Sequence, residues 1–282
     1  GTSVGFATEI IDADFTGLTH SGKMEHMDGF SFILDNENKI YNSDLNSLAN
    51  WNPVNFITKG IKADLQVGLA RLSNQILAFG DETVESFYNA GNATGSPLLP
   101  IKQLHNKIGM VRSQTSHYYC TLKNKIYFVG RIAGGVNSTG VFSYDGSNYE
   151  KLSTSYIDKI LGQADTEGFT FNPVFFSVNT IGFNGKNAIA ITLSNPTSAT
   201  QRWLMYFPDW KDWFEWNSTV FFPSTDPQYM AGTPVGNGRI YIFGSVDKWQ
   251  DNVTNFTMQT QFKLPQDGHH RKKMAEFGVL GD

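Results

Sequence analysis

The stretch Gln75-Ile-Leu-Ala-Phe-Gly-Asp-Glu-Thr-Val-Glu-Ser-Phe-Tyr-Asn-Ala-Gly91 predicts two short strands joined by a tight turn. Its first part, Gln75–Phe79, is an apolar run, and the Gly-Asp pair that follows is typical of a turn. From Val84 onward the residues alternate as a pleated strand requires, until Gly91 ends the unit. The stretch therefore predicts half of an antiparallel sheet.

The first part of this stretch recurs along the chain. Each copy has a polar residue, then Ile, then an apolar run, and most copies end in Gly. The copies are Lys39–Tyr41, Gln75–Gly80, Lys125–Gly130, Arg239–Gly244 and, more weakly, Asn187–Ile191. The separations between them lie near the roughly 40–50 residues of a four-stranded propeller blade.

This repeat predicts an all-β fold, a β-propeller of about five or six blades. A pair of β-sandwiches is the alternative, because any antiparallel protein contains hairpins at such spacing. A minor helical insertion is expected at Tyr156–Leu161, capped by Ser155, in the longest gap between copies. Residues 1–282 are expected to form one propeller domain. The start without Met is typical of a processed product or of a segment of a longer protein, and we expect the domain to be part of a longer chain.

The composition limits the partners of the chain. Its net charge of -4 disfavours tight DNA binding, which needs a basic face, so at most non-specific passage of DNA is expected. Only 17% of residues are charged and 14% are aromatic, which suits permanent subunit interfaces. No apolar run reaches the ~18 residues of a membrane helix, so no membrane is expected. The basic run His269–Lys273 is best explained as a solvated turn.

The sequence contains no catalytic, cofactor or metal motif. Its six His residues lack the spacing of a zinc site, and no phosphate-binding loop or nucleophile elbow occurs. The lone Cys120 is expected in an ordinary half-buried strand. We therefore predict no catalytic residue, no cofactor and no metal, and the chain is not expected to be an enzyme.

A glycoside-hydrolysing propeller is an alternative, because such enzymes use paired carboxylates. The candidate carboxylates are mostly in predicted turns: Asp81, Glu85, Asp145, Asp209 and Asp212. Glu82 and Glu85 are assigned to a turn and to an outward strand position. These placements favour structural roles over catalysis.

Aromatic residues are dense between Trp203 and Trp216. Most are expected in the core of a blade. Trp210, in a turn between Asp209 and Lys211, is the candidate for exposure. Trp210 and Trp213 are the candidate exposed aromatic contacts, which would pack against a partner subunit or, in a carbohydrate-binding propeller, stack on sugar.

Several segments resemble a family of phage proteins. These segments are 51–56, 63–70, 76–91, 140–158 and 203–216. They resemble the packaged-DNA stabilisation proteins of short-tailed bacteriophages, which are also called tail accessory, tail-hub or nozzle proteins. The resemblance extends over about residues 28–265 and is most specific in 51–91.

The resemblance implies a non-enzymatic virion structural protein. Such a propeller forms a homo-oligomeric ring, commonly a hexamer, that contacts the portal, the adaptor and other tail proteins. The ring closes or extends the DNA channel below the portal and retains packaged DNA. The location is the virion tail, after synthesis in the bacterial host cytoplasm. A cellular scaffold propeller is a further alternative, which a host-chromosome gene without neighbouring portal genes would support.

Overall fold

The computed structural model describes most of the first 218 residues and short stretches beyond them. The described residues are 9–60, 62, 64–112, 118–132, 139–163, 171–172, 176–183, 186–194, 201–218, 222–223, 229–231, 240–242 and 259–260. The basic run His269–Lys273 and half of the last repeat copy lie outside these residues.

Within the described residues, two helices and twenty-one strands follow one another. The helices are α1 (Ala13–Thr16) and α2 (Ser155–Gly162). The strands are β1 (His20–Met27), β2 (Phe30–Asp35), β3 (Lys39–Ser43), β4 (Trp51–Thr58), β5 (Gln66–Leu72), β6 (Gln75–Gly80), β7 (Val84–Asn89), β8 (Leu98–Asn106), β9 (Ile108–Met110), β10 (Tyr119–Leu122), β11 (Lys125–Ile132), β12 (Thr139–Tyr144), β13 (Tyr149–Lys151), β14 (Val178–Phe183), β15 (Lys186–Ser194), β16 (Gln201–Phe207), β17 (Asp212–Ser218), β18 (Phe222–Pro223), β19 (Tyr229–Ala231), β20 (Ile240–Ile242) and β21 (Gln259–Thr260).

The strands form five antiparallel sheets, numbered here in chain order. Sheet 1 has the order β1-β2-β3-β4 and sheet 2 the order β5-β6-β7-β8. Sheet 3 is β10-β11-β12-β13, with β9 also paired to β11, and sheet 4 is β14-β15-β16-β17 with β21. Sheet 5 contains β18-β19-β20. Apart from β9 and β21, consecutive strands are neighbours in each sheet, as in propeller blades, so the all-β propeller prediction is confirmed.

The first strands of successive sheets pack beside one another. Strand β1 contacts β5, strand β10 contacts β14, and β14 contacts β18. Strand β1 was missed by the sequence patterns, because His20–Met27 alternates polar residues with little apolar content. The sequence also predicts a strand at Val4–Ile11. This segment lies mostly outside the described residues, and its last three residues are not in a strand.

The hydrophobic core lies between the sheets. The largest cluster joins sheets 2, 3 and 4, and within it the rings of Phe79 and Phe128 meet edge to face at 5.3 Å. A second cluster, which includes Phe32 and Phe87, joins sheets 1 and 2. The repeated residues Ile76, Ile126 and Ile189 are buried because β6, β11 and β15 are the second strands of their sheets and are covered on both faces. Ile40 is also buried, but it lies on β3, the third strand of sheet 1.

Helix α2 lies between β13 and β14, where the helical insertion was predicted. It buries Ile157, Ile160 and Leu161 on one face. Its cap is Thr154 rather than the predicted Ser155, because the Thr154 hydroxyl accepts the Ile157 N–H. Ser155 is instead the first helical residue.

Candidate functional site

The first strands of four sheets line a cavity of about 690 Å³ that is open to solvent, called here the axial cavity. Strands β1, β5, β10 and β14, with Ser73 just after β5, supply its lining. The lining residues are Lys23, Glu25, Arg71, Ser73, Tyr119, Cys120, Thr121, Val178, Asn179 and Thr180. Its volume falls within the range of small-molecule sites, roughly 300–1,000 Å³.

Tyr118 joins three sheets beside this cavity. It precedes β10 and is fully buried. Its hydroxyl donates to the Leu69 carbonyl oxygen of β5 at 2.9 Å and accepts the Lys23 N–H of β1 at 3.2 Å. Burial raises the pKa of Tyr118, so the hydroxyl keeps the proton that it donates. Gly22 and Gly68 lie against this hydroxyl, where a Cβ on either residue would overlap it.

A second tyrosine holds the carboxylate of the cavity. The Tyr119 hydroxyl donates to Glu25 Oε1, and Lys23 Nζ lies 3.6 Å from the same oxygen. The Lys23 ammonium also lies 3.9 Å from the centre of the Tyr119 ring. Burial raises the pKa of Glu25, although the bond from Tyr119 and the charge of Lys23 act in the opposite direction.

Two other lining residues, Cys120 and Asn179, differ in their capacity to bind a ligand. Burial raises the pKa of the Cys120 thiol, so it stays protonated and unreactive at neutral pH, as the expected half-buried strand cysteine would. Asn179 is 1% exposed, and its side-chain amide has no hydrogen-bond partner among the described residues. A buried amide without partners is uncommon in folded proteins. Asn179 is therefore the described lining residue whose side chain would gain most from hydrogen bonds to a ligand.

The segment that carries the family resemblance contains a buried ion pair. Lys59 Nζ bonds to Asp64 Oδ1, and the two side chains are 0% and 2% exposed. The second oxygen of Asp64 accepts the N–H groups of Glu82 and Thr83, at 3.1 and 2.8 Å, and the Thr83 hydroxyl at 2.9 Å. This group, Lys59, Asp64 and Thr83, is called the turn clamp because it fixes the β6–β7 turn.

Gly80 and Glu85 complete this region. A Cβ on Gly80 would overlap the Asp64 carboxylate, which explains the Gly at the end of β6. The outward strand position predicted for Glu85 is wrong, since the residue is only 2% exposed and accepts the Gly60 N–H at 3.0 Å. Strand β7 is covered on both faces over Val84–Phe87, so the alternation of residues did not reveal that Glu85 is buried. Glu82 lies in the turn as predicted and pairs with Lys62.

The turn clamp makes stability sensitive to acid. Burial opposes ionisation of Asp64, but the bonds and charge of Lys59 and the bond from Thr83 lower its pKa below the ordinary 3.8. Because the folded-state pKa is lowered, this stabilisation is complete above the unfolded value of about 3.9 and is lost as pH falls through the folded value. Between pH 7 and pH 3, the urea midpoint of the wild type is expected to fall further than that of Asp64→Asn. Equal decreases would contradict the prediction.

The remaining candidate carboxylates have structural partners. Asp145 accepts the N–H groups of Ser147 and Asn148 in the β12–β13 turn. Asp209 pairs with Lys123. Asp81 accepts the Leu65 N–H, and Asp212 accepts the N–H of Trp213. In the part of the chain that is described, no three His, Cys, Asp or Glu side chains group as metal ligands.

The two candidate aromatic contacts have different surroundings. Trp210 is 53% exposed in the β16–β17 turn and stacks on Phe207 at 4.8 Å, with Phe214 edge-on at 6.1 Å. Trp213 is 7% exposed, and its indole N–H donates to the Leu152 carbonyl oxygen. Because Trp213 packs inward against sheet 3, the pair does not form a double sugar-stacking surface. An exposed contact stays a prediction for Trp210.

Sequence patterns missed the axial cavity and the turn clamp. Lys23, Glu25 and Lys59 are isolated charges without a motif, and only the packing of sheets brings them to their partners. The sequence indicated the turn clamp only indirectly, through the Gly-x-x-Thr pattern that follows Phe79. No helix within the described ranges is long and apolar enough to cross a membrane.

Comparisons with known proteins identify the family. A family model described as Phage_stabilise, bacteriophage P22 Gp10, β-propeller, matches residues 7–258. A search of curated proteins finds no match. Among solved structures, BamB from Moraxella catarrhalis is 12% identical with a TM-score of 0.43, covering 86% of this chain and 66% of that one. Quinohemoprotein alcohol dehydrogenase from Comamonas testosteroni is 10% identical with a TM-score of 0.41, and the match covers 80% of this chain and 39% of that one.

Proposed function

Because this chain belongs to the phage stabilisation family of bacteriophage P22 Gp10, we propose that it is a non-enzymatic subunit of a tail hub or nozzle. The chain is a phage structural protein. In the proposed role, several copies form a ring, for which a hexamer is the expected size. The ring closes or extends the DNA channel below the portal and retains the packaged genome. The match over residues 7–258 is the observation that carries this proposal.

The small space at the centre of the propeller favours a DNA channel that is formed between subunits. Tyr118 bridges β1 and β5 there, and the axial cavity holds about 690 Å³. A duplex whose major groove alone is about 12 Å wide needs a far wider passage than this space. DNA would therefore run along the outside of each propeller, within the ring. The net charge of -4 suits a wall along which DNA slides without binding.

Exposed apolar side chains supply candidate contact surfaces for other subunits, the portal, the adaptor or other tail proteins. One set lies at or near the outer strand of sheet 1 and includes Ile11, Leu48 and Val54, which are 86%, 54% and 68% exposed. The other is Trp210 with the rings of Phe207 and Phe214. Aromatic and apolar anchors of this kind dominate the energy of protein interfaces.

The proposed location is the tail of the virion, after synthesis in the cytoplasm of the bacterial host, without a membrane. Particles assembled without the gene test this role. We expect the heads to package DNA and then to lose it, so that electron microscopy shows empty heads without the ring. Supplying the wild-type chain from a plasmid is expected to restore DNA-filled particles. Full retention of DNA in particles that lack the protein would refute the proposal.

Trp210→Ala tests the contact surface within this role. The substitution is expected to lower the free energy of unfolding by only about 0.5–1.5 kcal/mol, because the side chain is half exposed and its main contact within the subunit is the stacked ring of Phe207. Loss of an interface tryptophan is expected to reduce incorporation into particles about tenfold or more. Tyr88→Ala, which removes a 42% exposed aromatic ring from β7, is the matched control. Equal incorporation of both variants would contradict a contact at Trp210.

A further inference from the structure

The axial cavity carries more positive than negative charge, although the whole chain is acidic. Among the described lining residues, Lys23 and Arg71 supply positive charge and Glu25 supplies the one carboxylate. Arg71 donates to the carbonyl oxygens of Ser73 at 3.1 Å and His26 at 2.7 Å. Its described hydrogen bonds therefore position the guanidinium without neutralising its charge.

The carboxylate of the cavity is already engaged. Glu25 accepts the Tyr119 hydroxyl and lies beside the ammonium of Lys23. A metal cation would have to compete with both groups and would meet the charge of Arg71. The lining therefore favours an anion over a cation.

Asn179 provides an independent indication of a ligand. Asn179 lies on β14, the strand that packs against β10, and it lines the cavity. Its side-chain amide is buried without a hydrogen-bond partner among the described residues. The amide has two donor hydrogens and one acceptor oxygen. Thr121 and Thr180 add hydroxyl groups to the same lining. These groups suit a ligand that carries both negative charge and hydroxyl or carbonyl oxygens.

We infer that the axial cavity binds a small anion of the carboxylate or phosphate class. Lys23 and Arg71 supply the charge, and the Asn179 amide supplies hydrogen bonds. A bound anion would connect β1, β5 and β14, which belong to three sheets, and would stabilise the centre of the propeller. This site is independent of the tail role, since it lies inside one subunit.

Calorimetric titration of the purified chain at fixed ionic strength tests the site. The probes are inorganic phosphate, citrate and gluconate, with sorbitol as the uncharged counterpart of gluconate. At least one anion is expected to bind with one-to-one stoichiometry, while sorbitol does not bind. Preference for phosphate over both carboxylates, or the reverse, identifies the anionic group. If no anion binds at this stoichiometry, the proposal is overturned.

Matched variants locate the binding. Lys23→Gln and Arg71→Gln are each expected to weaken the affinity about tenfold or more, whereas Lys39→Gln, on β3 away from the cavity, leaves it unchanged. Asn179→Leu is expected to raise the Tm of the unliganded chain and to abolish the anion-dependent rise in Tm. It serves as a second test if a charge variant fails to fold. Equal affinity in the wild type, Lys23→Gln and Arg71→Gln would place the anion elsewhere and overturn the proposal.

Discussion

Replacing Lys59 with Met is expected to lower the free energy of unfolding by about 3–5 kcal/mol, because it leaves the buried Asp64 without its ammonium partner. Both side chains are almost inaccessible, at 0% and 2% exposure. The Asp64 carboxylate cannot turn toward water, since Thr83 holds its second oxygen through two bonds. The loss should appear as a lower urea midpoint with an unchanged denaturant slope.

A second substitution separates charge from packing. Adding Asp64→Asn to Lys59→Met removes the uncompensated charge while keeping an oxygen for the Thr83 bonds, so the double variant should regain a large part of the lost stability. It also provides the measurement if the single variant does not fold. The control is Lys39→Met, which breaks an exposed pair with Glu37 and should cost at most about 1 kcal/mol. Equal losses in Lys59→Met and Lys39→Met would contradict the turn clamp.

Local patterns favoured the propeller over a pair of β-sandwiches. In three copies the Ile falls on the second strand of a sheet, namely β6, β11 or β15, where burial on both faces demands an apolar run, whereas Ile40 falls on β3, the third strand of sheet 1. The turn at Gly80 was also foreseen, because Gly-Asp pairs favour turns. Strand β1 could not be predicted in this way. Its polar side chains face the axial cavity and other sheets, so its sequence lacks the alternation that marks a half-buried strand.

The candidate sites depend on contacts between residues far apart in sequence. Tyr118 and Lys23 are separated by 95 positions, and Thr83 and Asp64 by 19. Neither spacing belongs to a motif that a single sequence displays. Trp213 illustrates the same limit, because it is buried in the core shared by sheets 2, 3 and 4 and bonds to the Leu152 carbonyl 61 positions away, while Trp210 could be placed in a turn from its neighbours.

Removing the Tyr118 hydroxyl is expected to loosen the junction of three sheets. Tyr118→Phe leaves the Leu69 carbonyl and the Lys23 N–H without their partner, which should cost about 1–3 kcal/mol. Tyr118→Ala also opens a cavity beside β5 and should cost about 3–5 kcal/mol. Faster hydrogen exchange at the Lys23 amide should accompany both losses. Tyr88→Phe, at an exposed position, should leave stability and exchange unchanged.

Gly68→Ala tests whether the hydroxyl itself sets the spacing at this junction. A Cβ on Gly68 would overlap the Tyr118 hydroxyl and approach its ring carbon Cζ at 2.8 Å. In the wild type, this overpacking should cost about 1–3 kcal/mol. In the Tyr118→Phe background the nearest atom is gone, so the same substitution should cost less, although Cζ still prevents full recovery. Two neighbouring residues that share one contact are expected to behave non-additively in this way. Strictly additive costs in urea unfolding would show that Gly68 does not pack against the hydroxyl.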